Sequence, residues 1–223
     1  ITTGIYAGDR VTGCRIALPH GLFGLDGASV TSTIAHEVWH CFQLDADEAA
    51  FDTAPLWVIE GQAEWAGEAY VGGSSSSAGN WSNWLLAYHV SLFRRSYDAI
   101  GLYADAAQAG NDPWRVMLDM LGRENFGAVQ ALFGTSVEDA LRAVAMADVR
   151  DSALGPEWET TGPGITDADG SVEFTLEDGA MVPASVEASR FSVLPLNVIV
   201  PSGDFWGGVG EPTIAVAAPA VLN

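Results

Sequence analysis

His36, Glu37 and His40 stand within five positions of one another, in the run Ala35-His36-Glu37-Val38-Trp39-His40-Cys41. The lead-in Ser29-Val-Thr-Ser-Thr-Ile-Ala reads as the start of a helix, predicted over 29–46 with Ser29 or Thr31 as its cap. Helical positions four apart lie about 40° apart around the axis and about 6 Å along it. His36 and His40 therefore offer two imidazole nitrogens to one metal ion. Glu37 sits at the edge of the same face, placed to take a proton from a water that the ion activates. The chain has only four histidines, so this arrangement rarely arises by chance. Two histidines and a glutamate buried in a core without partners would be costly.

A catalytic zinc takes three protein ligands and keeps one position open. The segment Pro55-Leu-Trp-Val-Ile-Glu60-Gly-Gln-Ala-Glu64-Trp-Ala-Gly-Glu68 reads as a second helix, predicted over 55–71 and entered through Pro55. Glu60, Glu64 and Glu68 fall on one face, while Trp57, Ile59, Ala63 and Trp65 cover the others. Stacked acids repel one another unless a cation or hydrogen-bond donors face them. Glu60 is expected to face the metal. Glu68 is expected to belong to a solvated acidic stripe.

His36-Glu37-Val38-Trp39-His40, followed after nineteen residues by Glu60, resembles the gluzincin metallopeptidases with the spacing of thermolysin-like enzymes. Glu60-Gly61-Gln62-Ala63-Glu64 is more similar to the Glu-Gly-x-Ala run of the aminopeptidase branch and of many bacterial surface peptidases. The resemblance covers residues 31–70. It implies a zincin-like domain with His36, His40 and Glu60 as zinc ligands and Glu37 as general base. Glu64 stands where thermolysin-like enzymes carry the Asp that orients the first ligand histidine, a contact that fixes tautomer and basicity. An edge strand ahead of the active-site helix would pair with extended substrate, and Cys14-Arg-Ile-Ala-Leu18 is its candidate. The Gly-x-Met-Glu-Asn signature that reads a free amino terminus is absent, which points to an endopeptidase. In this family a donor to the oxyanion comes from chain after the third ligand. Tyr97 is expected to fill that role, with Tyr103 next, and Arg94 and Arg95 would add positive potential beside it. Tyr70 lies too far along the ligand helix, and Tyr88 and His89 read as core.

Composition narrows the partners. The 223-residue chain carries a formal net charge of -20, and all nine of its basic residues are Arg. Nucleic acid and anionic membranes are therefore poor partners, and none is expected. Peptide or protein substrates, neutral or basic, are expected. No apolar run reaches the eighteen residues of a membrane span. The acidity and the two cysteines suggest a secreted or cell-surface protein whose export signal has been removed. Cys14 and Cys41 would bridge a strand to the back of the active-site helix. Two free thiols and ligation by Cys41 are the alternatives.

The remaining chain positions the site. Strands are predicted over 1–6 and 11–18, with Gly8-Asp9 as the turn between them. Gly72 to Gly79 reads as a flexible surface connection or flap. Helices are predicted over 80–93, 94–109, 113–122, 126–133 and 137–149. Beyond about residue 152 helical periodicity gives way to strands, predicted over 172–176, 188–193 and 196–200, and Asp167-Ala-Asp169-Gly170 reads as a turn rather than a calcium loop. The fold class expected is α+β, with residues 1–150 a zincin-like catalytic domain and 151–223 a β-rich C-terminal segment. The function expected is extracellular zinc-dependent endopeptidase. The rivals are a peptidase-like domain that binds metal without cutting and a zinc hydrolase of cell-wall or glycosylated peptide amides.

Overall fold

The computed structural model describes residues 2–7, 10–87, 90–148, 172–175 and 196–199. These are mostly helical, with a small antiparallel sheet at the N-terminus. The helix α1 (Gly27–Ala46) begins ahead of the predicted start, because Asp26 in extended backbone accepts from the Ser29 amide at 2.9 Å. Ser29 is thus capped rather than capping. A short α2 (Glu48–Thr53), which the sequence reading does not include, follows α1, and Asp47 caps it through the Ala50 amide. The helix α3 (Leu56–Val71) starts after Pro55 and stops at Gly72, whose φ of 73° suits glycine.

The helix predicted over 80–93 is divided. Its first part is α4 (Ala78–Leu86), and Leu92–Arg94 forms a separate 3₁₀ turn. Tyr88 and His89 lie outside the described residues. The next predicted helix opens with the 3₁₀ turn Tyr97–Ala99 and continues as α5 (Ile100–Gln108). The series ends with α6 (Pro113–Val116), α7 (Asn125–Phe133) and α8 (Val137–Asp148).

At the N-terminus β1 (Thr2–Ala7) and β2 (Arg10–Ile16) pair antiparallel, Thr2 opposite Ile16 and Gly4 opposite Cys14, with an irregularity between Ile5 and Tyr6. Ala17 and Leu18 leave the strand, so the expected edge segment is shorter than its sequence suggests. Cys14 and Cys41 form a disulfide with their Cα atoms 5.6 Å apart. It ties β2 to α1 and excludes both free thiols and ligation by Cys41.

The chain divides into two units, Ile1–Gly170 with Glu187–Pro195, and Ser171–Val186 with Leu196–Asn223. In the second, β3 (Val172–Thr175) and β4 (Leu196–Ile199) pair in parallel. The strand predicted over 188–193 and the Asp167–Gly170 turn lie outside the described residues.

In the first unit α3 is the central element. Trp57, Val58, Ala63, Trp65 and Ala66 are buried on it, packed with Ile100, Leu102 and Tyr103 of α5, with Met117 and Met120 from the segment that follows α6, and with Leu132 of α7. A helix apolar on so many sides belongs inside. Two glycines set how closely its neighbours approach. A Cβ at Gly61 would come within 2.8 Å of the Ala99 Cβ, and one at Gly67 within 2.6 Å of the Ser32 carbonyl oxygen. Gly61 therefore seats the Tyr97–Ala99 turn and Gly67 seats α1.

Candidate metal centre

The facing stripes of α1 and α3 are polar, although both are buried. Along the antiparallel pair, Ser32 meets Glu68, His36 meets Glu64 and Glu60, His40 meets Glu60, and Gln43 meets the Ile59 carbonyl and Gln62. Burying this many polar groups requires that each find a partner. Most do so through hydrogen bonds. The middle of the ladder does not.

There His36 Nε2, His40 Nε2 and Glu60 Oε2 form a triangle with edges of 3.1, 3.3 and 3.4 Å. Hydrogen bonds on the far sides of the rings fix which nitrogens carry protons. His36 Nδ1 faces Glu64 Oε2 at 3.1 Å, and a carboxylate accepts. His40 Nδ1 faces Gln43 Oε1 at 2.7 Å. The Gln43 amide nitrogen is committed to the Ile59 carbonyl at 3.1 Å and to Gln62 Oε1 at 2.9 Å, so its oxygen must accept from His40. In the neutral histidines both Nε2 atoms then present lone pairs to each other and to a carboxylate oxygen. Glu60 Oε2 is buried, with no donor hydrogen-bonded to it.

Three lone pairs aimed at one point repel unless a cation sits between them. Three donors bound to a tetrahedral ion at about 2.0–2.2 Å stand about 3.3–3.6 Å apart, close to the observed edges. Two imidazoles and a carboxylate also form a donor set suited to a divalent ion. His36, His40 and Glu60 therefore fit a metal ion, and their ligand atoms all lie within 4.8 Å of one another.

In the metal-free chain a proton takes the cation's place. Burial alone would depress the His36 pKa, but the carboxylates of Glu60 and Glu64 beside it win and raise it from 6.5 to about 9. Glu60 is held well below the usual carboxylate range: burial works against its charge, and His36 and His40 more than offset it. Glu64 is shifted in the same direction. Burial again opposes it, and His36, Ser77 and Asn80 outweigh the burial.

Glu37 stands beside this triangle and is half-buried. Thr2 Oγ1 donates to its Oε2 at 2.6 Å and to its main-chain carbonyl at 3.0 Å, fastening the start of β1 to α1. Burial would raise the Glu37 pKa, but the Thr2 hydrogen bond and nearby positive charge, that of His36 included, lower it. It is therefore ionised at neutral pH.

Tyr97 lies over the centre. Its ring stacks on His36 with centroids 5.6 Å apart and planes 12° from parallel. Its pKa is pushed up to about 12, first by burial and then by the charge and hydrogen bonding of Glu60, so it keeps its proton and acts as a donor.

Several expectations need correction. Glu68 is not solvated: it is fully buried and accepts from Ser32 Oγ at 2.7 Å, from the Ser74 amide at 2.6 Å and from the Ser74 hydroxyl. Arg95 is committed to other partners. It is buried, paired with Asp98 at 2.9 Å, donates to the Ala87 carbonyl and lies over the Trp84 ring. Tyr103 is buried, with its hydroxyl donating to the Trp57 carbonyl at 3.2 Å, and serves the core. Gln43, Gln62, Ser77 and Asn80 join the site without having been singled out in the sequence. Gln43 had a readable signal, since it lies three residues after His40 and seven after His36 on one helical stripe. Ser77 and Asn80 had none, because a loop brings them in. No family model, curated protein or solved structure matches the chain.

Proposed function

We propose that the first unit is a zinc metallopeptidase of the gluzincin type, cutting internal peptide bonds of extracellular substrates. The observation that carries this reading is the His36–His40–Glu60 triangle with an ionised Glu37 on the same helix. His36, His40 and Glu60 would hold the ion. A bound zinc supplies Lewis acidity, polarising a scissile carbonyl and acidifying water. Two imidazoles and a carboxylate also suit ferrous iron. Glu37 favours hydrolysis, because redox chemistry needs no carboxylate base beside the ion.

In this reading the Glu37 carboxylate takes the proton of the attacking water and delivers it to the leaving amine nitrogen. Thr2 holds one side of that carboxylate in place. Tyr97, kept protonated, donates its hydroxyl hydrogen toward the carbonyl oxygen as negative charge grows there. Glu64 and Gln43 hold the two ligand rings in the tautomer that presents Nε2. The disulfide between Cys14 and Cys41 fits an oxidising, extracellular setting.

Metal analysis of the purified protein, followed by incubation with a mixed peptide library with and without chelator, tests the proposal. The expected result is one zinc per chain and chelator-sensitive cleavage at internal bonds. A loaded protein that leaves every peptide intact would sink the peptidase reading, favouring either a binding domain or a hydrolase of glycosylated or cell-wall amides.

A further inference from the structure

The serine run that reads as a flexible connection is hydrogen-bonded at every serine to an acidic residue of α3 or of the α1 cap. Ser74 donates to Glu68 through its amide and its hydroxyl, and Ser76 Oγ reaches Glu68 at 3.4 Å. Ser75 Oγ donates to Asp26, the cap of α1, at 3.1 Å. Ser77 Oγ donates to Glu64 Oε1 at 2.6 Å, and Asn80 Nδ2 donates to the same oxygen at 2.6 Å. The other oxygen of Glu64 is the one that holds His36.

Ser77 shows where the local preference has been overridden. It occupies the N-cap position of α4, where a serine hydroxyl ordinarily accepts from an amide in the first turn. Here its side chain makes no cap bond, and its backbone, at φ -90° and ψ 1°, is not the extended conformation that capping uses. The hydroxyl is turned instead onto Glu64, with Ser77 almost wholly buried. Two donors on one oxygen fix the carboxylate plane, leaving the second oxygen aimed at the imidazole.

We propose that Ser77 and Asn80 are positioning residues for the metal centre, setting the orientation of His36 through Glu64, and that the serine loop is the clasp that delivers them. The proposal rests on the metal reading above. Without these donors Glu64 can rotate, and His36 loses the partner that holds its ring and tautomer. Partners of this kind typically change metal affinity by about 10–100-fold. Two donors acting through one carboxylate are expected at the lower end of that range.

Cobalt(II) titration of the full chain tests it, read by the visible d–d spectrum and by chelator competition. The Ser77→Ala/Asn80→Ala protein is expected to bind cobalt roughly ten-fold more weakly, with an altered spectrum. Ser77→Thr, which keeps the hydroxyl, should restore most of the affinity. Ser75→Ala, on the same loop but bonded to Asp26, should bind as wild type does. Where the double variant does not fold, each single variant gives the same comparison at a smaller loss. A wild-type chain that binds no cobalt would overturn the metal reading and this proposal together. Unchanged affinity and spectrum in the double variant would overturn this proposal alone, as would an equal loss in Ser75→Ala, which would make the loop merely structural.

Discussion

His36 and Tyr97 stack ring on ring, yet they belong to two differently built sides of one site. On the His36 side the groups are buried or half-buried and bonded in series. The ring is held by Glu64, Glu64 by Ser77 and Asn80, and the neighbouring His40 by Gln43. Gln43 is held in turn by Gln62, whose amide donates to the Met117 carbonyl at 2.8 Å. On the other side Tyr97 is 43% exposed and sits on a short turn, and Glu37 is half-buried against the first residues of a small sheet. Under the proposed function the difference follows from what each side would do. Ligands that converge on a cation have to be fixed before it arrives, because reorganising them would subtract from binding. Groups that meet a substrate have to be reachable from solvent.

The sharpest way to separate the two sides is Glu37→Gln. It removes a base from the open side and leaves the triangle intact. Peptide hydrolysis should fall by about 10²–10⁴-fold, the range for general acid–base catalysis. Zinc content, measured by atomic absorption, should stay at the wild-type value. Hydrolysis at the wild-type rate would end the assignment of Glu37.

The closed side should respond to pH through metal binding. His36 carries a proton up to about pH 9 in the metal-free chain, and the ion must displace it. Apparent metal affinity should therefore rise about ten-fold per pH unit between pH 7 and pH 9 and flatten above, in competition titrations with a chelator of known affinity. The same proton stabilises the metal-free fold, because the folded pKa is raised. That contribution is complete below pH 6.5, the ordinary value, and disappears as pH rises through about 9. Metal affinity that does not change with pH over this interval would show that no such proton is displaced.

Tyr97→Phe makes the finest cut. It keeps the ring that stacks on His36 and removes only the hydroxyl. A fall in kcat of about ten-fold, equivalent to about 1.4 kcal/mol, is expected with unchanged metal content. If kcat does not move, the hydroxyl has no part in the reaction and Tyr97 is a packing residue. If metal is lost instead, Tyr97 belongs with the closed side, and the division drawn here is in the wrong place.

The sequence by itself determined what depends on local spacing. Helical periodicity puts His36 and His40 on one stripe and Glu60, Glu64 and Glu68 on another, and the structure brings the first two residues of each stripe together. The pairing of Cys14 with Cys41 was legible because the chain has two cysteines, and the helical stretches between Gly27 and Asp148, α2 excepted, because 3.6-residue periodicity acts over short range. Element limits were less so: Asp26 rather than Ser29 caps α1, and the helix predicted over 80–93 breaks after Leu86. Only the tertiary structure decided the surroundings. An acid on an acidic chain reads as solvated, and nothing within α3 says that Ser32 and Ser74 will bury Glu68. A Gly-Ser run reads as flexible because its backbone has no preference of its own. The acceptors that fix it are the Glu64 and Glu68 carboxylates of α3 and Asp26 at the start of α1, and nothing in the run itself says that they face it. Arg95 and Tyr103 teach the same lesson in reverse. Their side-chain types suit a site, but burial among core groups commits Arg95 to Asp98 and Tyr103 to the Trp57 carbonyl. The candidate ligand set was readable because its residues recur at helical spacing; the network that holds them was not, because hydrogen bonds between separate elements leave no periodic trace in the chain.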